Sequence, residues 1–107
     1  MNYTVYIDDN YHYMDQCYRS KLGSFECYAD AVRCCEGILE RNLQEHYENG
    51  MGAEELVMRY RMFGEDPFIV PPDEAQPMFS AWSWVSANAA GFITRRAREA
   101  AKKAAEE

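Results

Sequence analysis

An acidic loop near the start of the chain has the residue types and spacing that come closest to a metal site. Oxygen ligands this close together can hold a divalent cation, and the candidates are Asp8, Asp9, Asn10, His12 and Asp15. The EF-hand order, with a central Gly and a terminal Glu, is absent. A turn is the simpler interpretation, because Asp and Asn side chains bond readily to nearby backbone. The sequence therefore predicts no metal and no cofactor, with a cation at Asp8–Asp15 left as an alternative.

Acid–base catalysis has few candidates in this chain. Glu65 and Asp66 are adjacent in what reads as a turn, whereas a catalytic carboxylate pair needs a cleft and two separated pKa values. His12 and His46 are the only histidines. No nucleophile elbow, phosphate-binding loop or dinucleotide fingerprint is present. We therefore expect a protein that is not an enzyme.

The four cysteines do not follow a metal-binding or disulfide pattern. None of them forms a C-x-x-C pair, and a zinc site would need further ligands that this spacing does not supply. Cys35 reads as a small core residue on a helix. The remaining thiols read as incidental, and they are Cys17, Cys27 and Cys34.

Nucleic-acid binding is the alternative function, because aromatic residues interleaved with cations can stack bases and contact phosphates. The candidate surface comprises Tyr6, Arg19 and Lys21 together with Arg95 and Arg96 of the tail. Residues 95–107 carry a net charge of +2 within a total of −7, which leaves −9 on residues 1–94. That acidic body disfavours binding to phosphate backbones.

The segment from Phe25 to Leu43 reads as the central amphipathic helix. Apolar residues at spacings of three and four form one stripe, namely Tyr28, Ala31, Val32, Cys35, Ile38, Leu39 and Leu43. We expect the helix to start at Cys27 and to end before Asn49 and Gly50. Gly37 inside it costs roughly 1 kcal/mol against Ala, or lets another segment approach closely.

The flanking segments predict a small sheet and two further helices. Residues 3–7 and 16–24 alternate as strands of a hairpin, with Tyr3, Val5, Ile7, Tyr18 and Leu22 facing the central helix. A second helix carries Leu56, Val57, Tyr60 and Phe63 on its buried side. Residues 65–67 read as a turn, and residues 68–70 as a short edge strand bounded by prolines. Ser80 is the expected N-cap of the last helix.

This order defines an α+β fold, β-β-α-α-β-α, with a small antiparallel sheet packed on helices. We expect residues 1–94 to form one domain. Residues 95–107 contain only Ala, Arg, Lys and Glu. This composition predicts a basic helical extension or a frayed tail.

Several motifs, standing in this order, resemble a family of small bacterial proteins with no assigned activity. They are Asp8-Asp9-Asn10-Tyr11-His12-Tyr13-Met14-Asp15, Lys21-Leu22-Gly23-Ser24-Phe25, Ala31-Val32, Met62-Phe63-Gly64-Glu65-Asp66-Pro67-Phe68-Ile69-Val70-Pro71 and Phe79-Ser80-Ala81-Trp82. The resemblance covers roughly residues 3–84, and it implies a bacterial, cytosolic, single-domain protein. At the cap of the central helix, the resemblance leads us to expect Thr or Ser where this chain has Cys27. The basic tail lies outside the shared region.

The leading functional interpretation is a small interaction or regulatory protein of the cytoplasm that binds a protein partner or forms a homodimer. Exposed aromatic residues are common binding anchors. The candidate contact surface is either the loop Tyr11-His12-Tyr13-Met14 or the helix that carries Trp82 and Trp84. No apolar run reaches the roughly 18 residues needed to cross a bilayer, and the start of the chain does not resemble a secretory signal. We expect no membrane association.

Overall fold

The computed structural model describes residues 2–12 and 19–106, and in this part of the chain it has the predicted α+β architecture. Three antiparallel strands form one sheet in the order β2-β1-β3, and three α-helices pack with it. The elements in chain order are β1 (Tyr3–Asp9), a 3₁₀ turn (Asn10–His12), β2 (Ser20–Phe25), α1 (Tyr28–His46), α2 (Ala53–Phe63), β3 (Glu65–Val70) and α3 (Ala81–Glu106).

Helix α1 lies at the centre and takes part in both clusters of buried side chains. Its first half packs against the sheet, where Val5, Ile7 and Ile38 are at most 8% exposed. Its second half packs against α2 and α3 through Leu39 and Leu43. The predicted packing of the N-terminal hairpin on the helix stripe is therefore confirmed for β1. Cys27 is the N-cap as expected, although its side chain makes no capping hydrogen bond.

Strand β2 differs from the prediction in the position of Leu22, which is 51% exposed. The pairing with β1 passes from Val5–Gly23 to Tyr6–Lys21, so Leu22 has no partner in the register. An extra residue of this kind is a β-bulge, and it turns the side chain out of the regular alternation. The buried position predicted for Leu22 is therefore wrong, and that of Tyr18 lies outside the described residues.

Strand β3 begins three residues earlier than expected, and the predicted turn at Glu65–Pro67 is wrong. These residues pair with the last residues of β1, in the register Asp9–Glu65, Asp8–Asp66 and Ile7–Pro67. The same pairing extends β1 through Asp9, where a turn was expected from Asp8. Pro67 is tolerated because β3 is an edge strand, as predicted.

The ends of α2 and α3 show one correction and one confirmation. Leu56 and Tyr60 of α2 are buried as predicted, but Phe63 is 52% exposed and stacks on Tyr11, with ring centroids 5.9 Å apart. Phe63 lies at the last position of α2, beyond the part of the helix that α1 and α3 cover. Ser80 caps α3, since its Oγ accepts a hydrogen bond from the Ser83 backbone N–H at 3.3 Å.

Candidate functional site

A groove with a volume of about 790 Å³ runs between the first turns of α1 and the first turns of α3. We call it the α1–α3 groove. One wall is α1, the other is α3, and the segment before α3 closes one end. Its apolar lining includes Tyr28, Val32, Met78, Phe79, Trp84 and Ala87. The volume falls within the range of about 300–1,000 Å³ that is usual for ligand pockets, although this groove is open to solvent along its length.

The segment that closes the groove is held in place by tyrosine hydroxyls. Tyr28 donates a hydrogen bond to the Pro77 carbonyl at 3.4 Å and accepts one from the Phe79 backbone N–H at 3.3 Å. Tyr3 donates to Asp73 at 3.4 Å, and the rings of Tyr3 and Tyr28 meet edge to face. Phe79 contacts both buried clusters. The groove is therefore preformed by the fold.

Two polar side-chain contacts join the walls beyond the apolar end. The Trp84 indole N–H donates to Glu36 at 3.1 Å, and Arg95 donates to Glu40 at 3.0 Å. The order of these contacts along both helices shows that α1 and α3 run in the same direction. Trp84 is half-buried and presents one side to the groove. A second hollow continues past Trp84, lined by Glu40, Asn88, Gly91, Thr94, Arg95 and Arg98.

Trp82 and Tyr11 lie elsewhere, on either side of the buried Asn10. The Asn10 amide donates to the Tyr60 carbonyl at 2.9 Å and accepts from the Trp82 indole N–H at 3.3 Å. Arg61 lies over the Trp82 ring, 5.5 Å from its centroid. The structure therefore separates Trp84 from Trp82 and Tyr11. Tyr13 and Met14 lie outside the described residues, and His12 ends the 3₁₀ turn.

The residues of the nucleic-acid alternative are divided between two sides of α1. Tyr6 alternates with the buried Val5 and Ile7, so it lies on the outer face of the sheet, where it stacks on Phe68. Arg19 makes two hydrogen bonds to Asp8, at 2.7 and 3.1 Å. Arg95 and Arg96 are on α3, where Arg95 pairs with Glu40 and Arg96 with Glu99. The geometry therefore does not favour one continuous phosphate-binding surface.

Glu65 and Asp66 lie on opposite faces of the sheet, because side chains alternate along β3. Glu65 faces α1, where its side chain accepts a hydrogen bond from Asn42. Asp66 faces outward opposite Asp8, and its pKa is raised to about 6, first by burial and then by the Asp8 carboxylate. Asp9 accepts from the Tyr11 backbone N–H at 2.8 Å, which is the turn-type hydrogen bond expected of this loop.

The cysteines that the structure describes are all free thiols, Cys27, Cys34 and Cys35. Cys35 is fully buried, as predicted, and burial raises its pKa to about 12. A thiol with so high a pKa is a poor nucleophile and a poor metal ligand. Cys17 lies outside the described residues.

No three His, Cys, Asp or Glu side chains come close enough to hold a metal ion within residues 2–12 and 19–106. Asp15 lies outside these ranges, so the cation site considered at Asp8–Asp15 stays a prediction. In the same part of the chain, no helix has the length and hydropathy required to cross a membrane.

Sequence reasoning missed two elements of this site. Asn42 is buried at 1% exposure, where its amide donates to the Ile38 carbonyl and to Glu65, and its oxygen accepts from the Glu65 backbone N–H. An Asn within an apolar stripe was the available signal. The groove itself has Val32 of α1 and Ala87 of α3 in its lining, and no spacing within one segment could have indicated that.

Comparisons with models of protein families, with curated proteins and with solved structures found no match for this chain. The resemblance carried by the motifs of residues 3–84 therefore stays a prediction. What can be stated is the class of structure, an α+β domain with a preformed apolar groove between two parallel helices.

Proposed function

We propose that this chain is a non-enzymatic interaction protein that binds a segment of a protein partner in the α1–α3 groove. The observation that carries the proposal is the apolar lining of the groove, with Met78 left 77% exposed at its rim. Apolar surface that is left open and preformed is typical of protein-binding sites. Half-buried Trp84 supplies an aromatic anchor of the kind that dominates binding energies.

The proposal includes a cytoplasmic, bacterial setting, which extends the expectation from the sequence. Three free thiols support it, because a reducing compartment keeps such thiols unpaired. The groove supports a protein partner over a nucleic acid, since most of its lining is apolar and Arg33, which also lines it, is already paired with Asp30. A homodimer that uses the same groove is a rival outcome of the experiment below.

Site-specific photo-crosslinking in cells of the protein's own source tests the proposal. Benzoylphenylalanine in place of Ser83 puts the reactive group on the groove wall. Benzoylphenylalanine in place of Met58 puts it on an exposed position of α2 that does not line the groove. We expect one other protein to be crosslinked from position 83 and not from position 58.

A pair of glutamate variants makes this result specific. Ala87→Glu adds a charge to the groove wall, which a docked apolar segment would have to desolvate, so the crosslink from position 83 should fall at least tenfold. Met58→Glu is the control on exposed surface away from the groove, and it should leave the crosslink unchanged. The proposal fails if position 83 crosslinks only a second copy of this chain, gives no adduct, or gives adducts that Ala87→Glu does not reduce.

A further inference from the structure

The α3 side that lines the groove continues into a row of basic residues. Ser83, Trp84, Ala87 and Gly91 lie on one side of the helix at spacings of three and four. Arg95, Arg98 and Lys102 continue that side at the same helical spacing. From Ser83 to Lys102 the helix rises about 28 Å at 1.5 Å per residue. The apolar groove is therefore followed along α3 by a basic strip.

The charges differ between the two ends of this surface. Asp73 and Glu36 lie towards the apolar end, where each accepts a hydrogen bond from a neutral side chain, Tyr3 or Trp84, and keeps its negative charge. Glu40 is paired with Arg95. Arg33 at the apolar end pairs with Asp30. Arg98 and Lys102 are exposed, and neither has an ion pair with a described residue. The charge left for a partner at the Arg98–Lys102 end is therefore positive, although the chain as a whole carries −7.

We propose that the occupant of the groove is an amphipathic helix of a partner protein, with apolar residues on the Val32–Ala87 end and acidic residues beside Arg98 and Lys102. This inference rests on the proposed function and specifies its partner. The apolar groove lies between two helices that run in the same direction, which suits a helical occupant whose anchors recur every three to four residues. About five helical turns would span the distance from Ser83 to Lys102. Acidic side chains at one end supply the complementary charge.

A display library of 18-residue peptides tests the charge of the occupant. Each peptide carries Leu at amphipathic helical spacing, and its other positions vary among Glu, Gln and Lys. Selection uses the full chain. We expect binders from the wild-type chain to be enriched in Glu at one end, and Arg98→Glu to reverse that enrichment towards Lys. A wild-type-selected peptide should bind Arg98→Glu about tenfold more weakly.

Lys21→Glu is the matched control, because it changes the net charge equally but lies on β2 opposite Tyr6. It should leave both the enrichment and the affinity unchanged. The double variant Arg98→Gln and Lys102→Gln gives a milder test, in which binding should weaken and lose most of its salt dependence.

Two different failures can be told apart. If selected peptides bind Ala87→Glu as well as they bind the wild-type chain, they do not use the groove, and the proposed function fails with this inference. In the second kind of failure, Ala87→Glu abolishes binding, but the peptides show no Glu enrichment or Arg98→Glu leaves the enrichment unchanged. The acidic helix is then wrong as the occupant, and the groove still stands as the binding site. Single-stranded DNA competing for the same surface would favour the nucleic-acid alternative and also overturn the inference.

Discussion

Among the carboxylates that the structure describes, Asp66 is the one whose ionisation the fold perturbs most clearly. Its side chain is partly buried on the outer face of the sheet, next to the Asp8 carboxylate, and its pKa is raised to about 6. Asp8 already pairs with Arg19, so Asp66 receives no direct compensation from that cation. Burial without a partner disfavours the charged form. Asp66 therefore lowers stability at neutral pH.

The sign of the pH dependence follows from this shift. Between the unfolded pKa near 3.8 and the folded pKa of about 6, the folded state binds more protons, so stability falls as pH rises through this window. Asp66→Asn removes the effect, and we expect it to raise the free energy of unfolding by about 1–3 kcal/mol at pH 7.5. The gain should vanish near pH 4, as measured by urea unfolding across this range.

The control for this variant is Glu54→Gln, which removes a carboxylate from an exposed position in the first turn of α2. It should not raise stability at pH 7.5. An Asp66→Asn variant that is no more stable than the wild-type chain at pH 7.5, or equally stabilised at pH 4, would contradict the assignment.

At the scale of the elements, two glycines play opposite parts. Gly37 is exposed in the middle of α1, and a Cβ built there meets no other atom within 4 Å, so the close approach considered for it does not occur. Gly64 follows α2, where a Cβ would lie 2.5 Å from the ring carbon Cδ1 of Tyr60 and 2.7 Å from the Tyr60 carbonyl oxygen. Tyr60 is fully buried and has no room to move. Glycine is therefore required at position 64 by the close approach of Tyr60. Its backbone conformation does not require glycine, since a φ of −82° is open to other residues.

The same substitution at these two positions should act in opposite directions. Gly37→Ala improves helix propensity at no steric cost, and we expect a gain of roughly 1 kcal/mol in the free energy of unfolding. Gly64→Ala forces a clash with a buried ring, and we expect a loss of about 1–3 kcal/mol. Chemical denaturation of both variants measures this. Equal effects, or a stable Gly64→Ala, would show that α2 and β3 do not meet as described.

At the scale of the whole molecule, the fold is a compact body from which the end of α3 projects. Both buried clusters draw on α1, and the most distal buried residue of α3 is Phe92. From Thr94 to Ala105 every residue is exposed. The last contacts that charged side chains of α3 make with the body come from two arginines. Arg95 pairs with Glu40, and Arg96 lies over the Tyr47 ring. The remainder of α3 is a solvated extension.

Truncation after Glu99 should therefore change stability little. Removal of residues 100–107 takes away helix but no buried surface, so the free energy of unfolding should stay within about 0.5 kcal/mol of the full chain. The helical circular dichroism signal should fall by the share of the residues removed. Truncation after Ala90 is the contrasting variant, because it removes Phe92, and it should be strongly destabilised. A loss above about 1 kcal/mol in the first variant would indicate packing of the tail.

The local pattern of the sequence determined most of the helical part of the fold. The 3.6-residue spacing from Tyr28 to Leu43, the Ser80 cap and the order of elements all follow from short-range physical chemistry, because each involves residues within one or two helical turns. Asn42 escaped this reasoning, since its partner Glu65 lies 23 positions away. The same limit applies to the second half of the hairpin, where Leu22 lies in a bulge.

Tertiary structure alone decided the start of β3 and the existence of the groove. Glu65–Pro67 has the composition of a turn, but pairing with β1 supplies backbone hydrogen bonds that outweigh local preference. The groove forms because Tyr28 holds the segment around Pro77, 49 positions away. Sequence by itself specified the apolar faces and where helices begin, because those depend on near neighbours. Which faces meet, and which are left open, depended on contacts between residues distant along the chain.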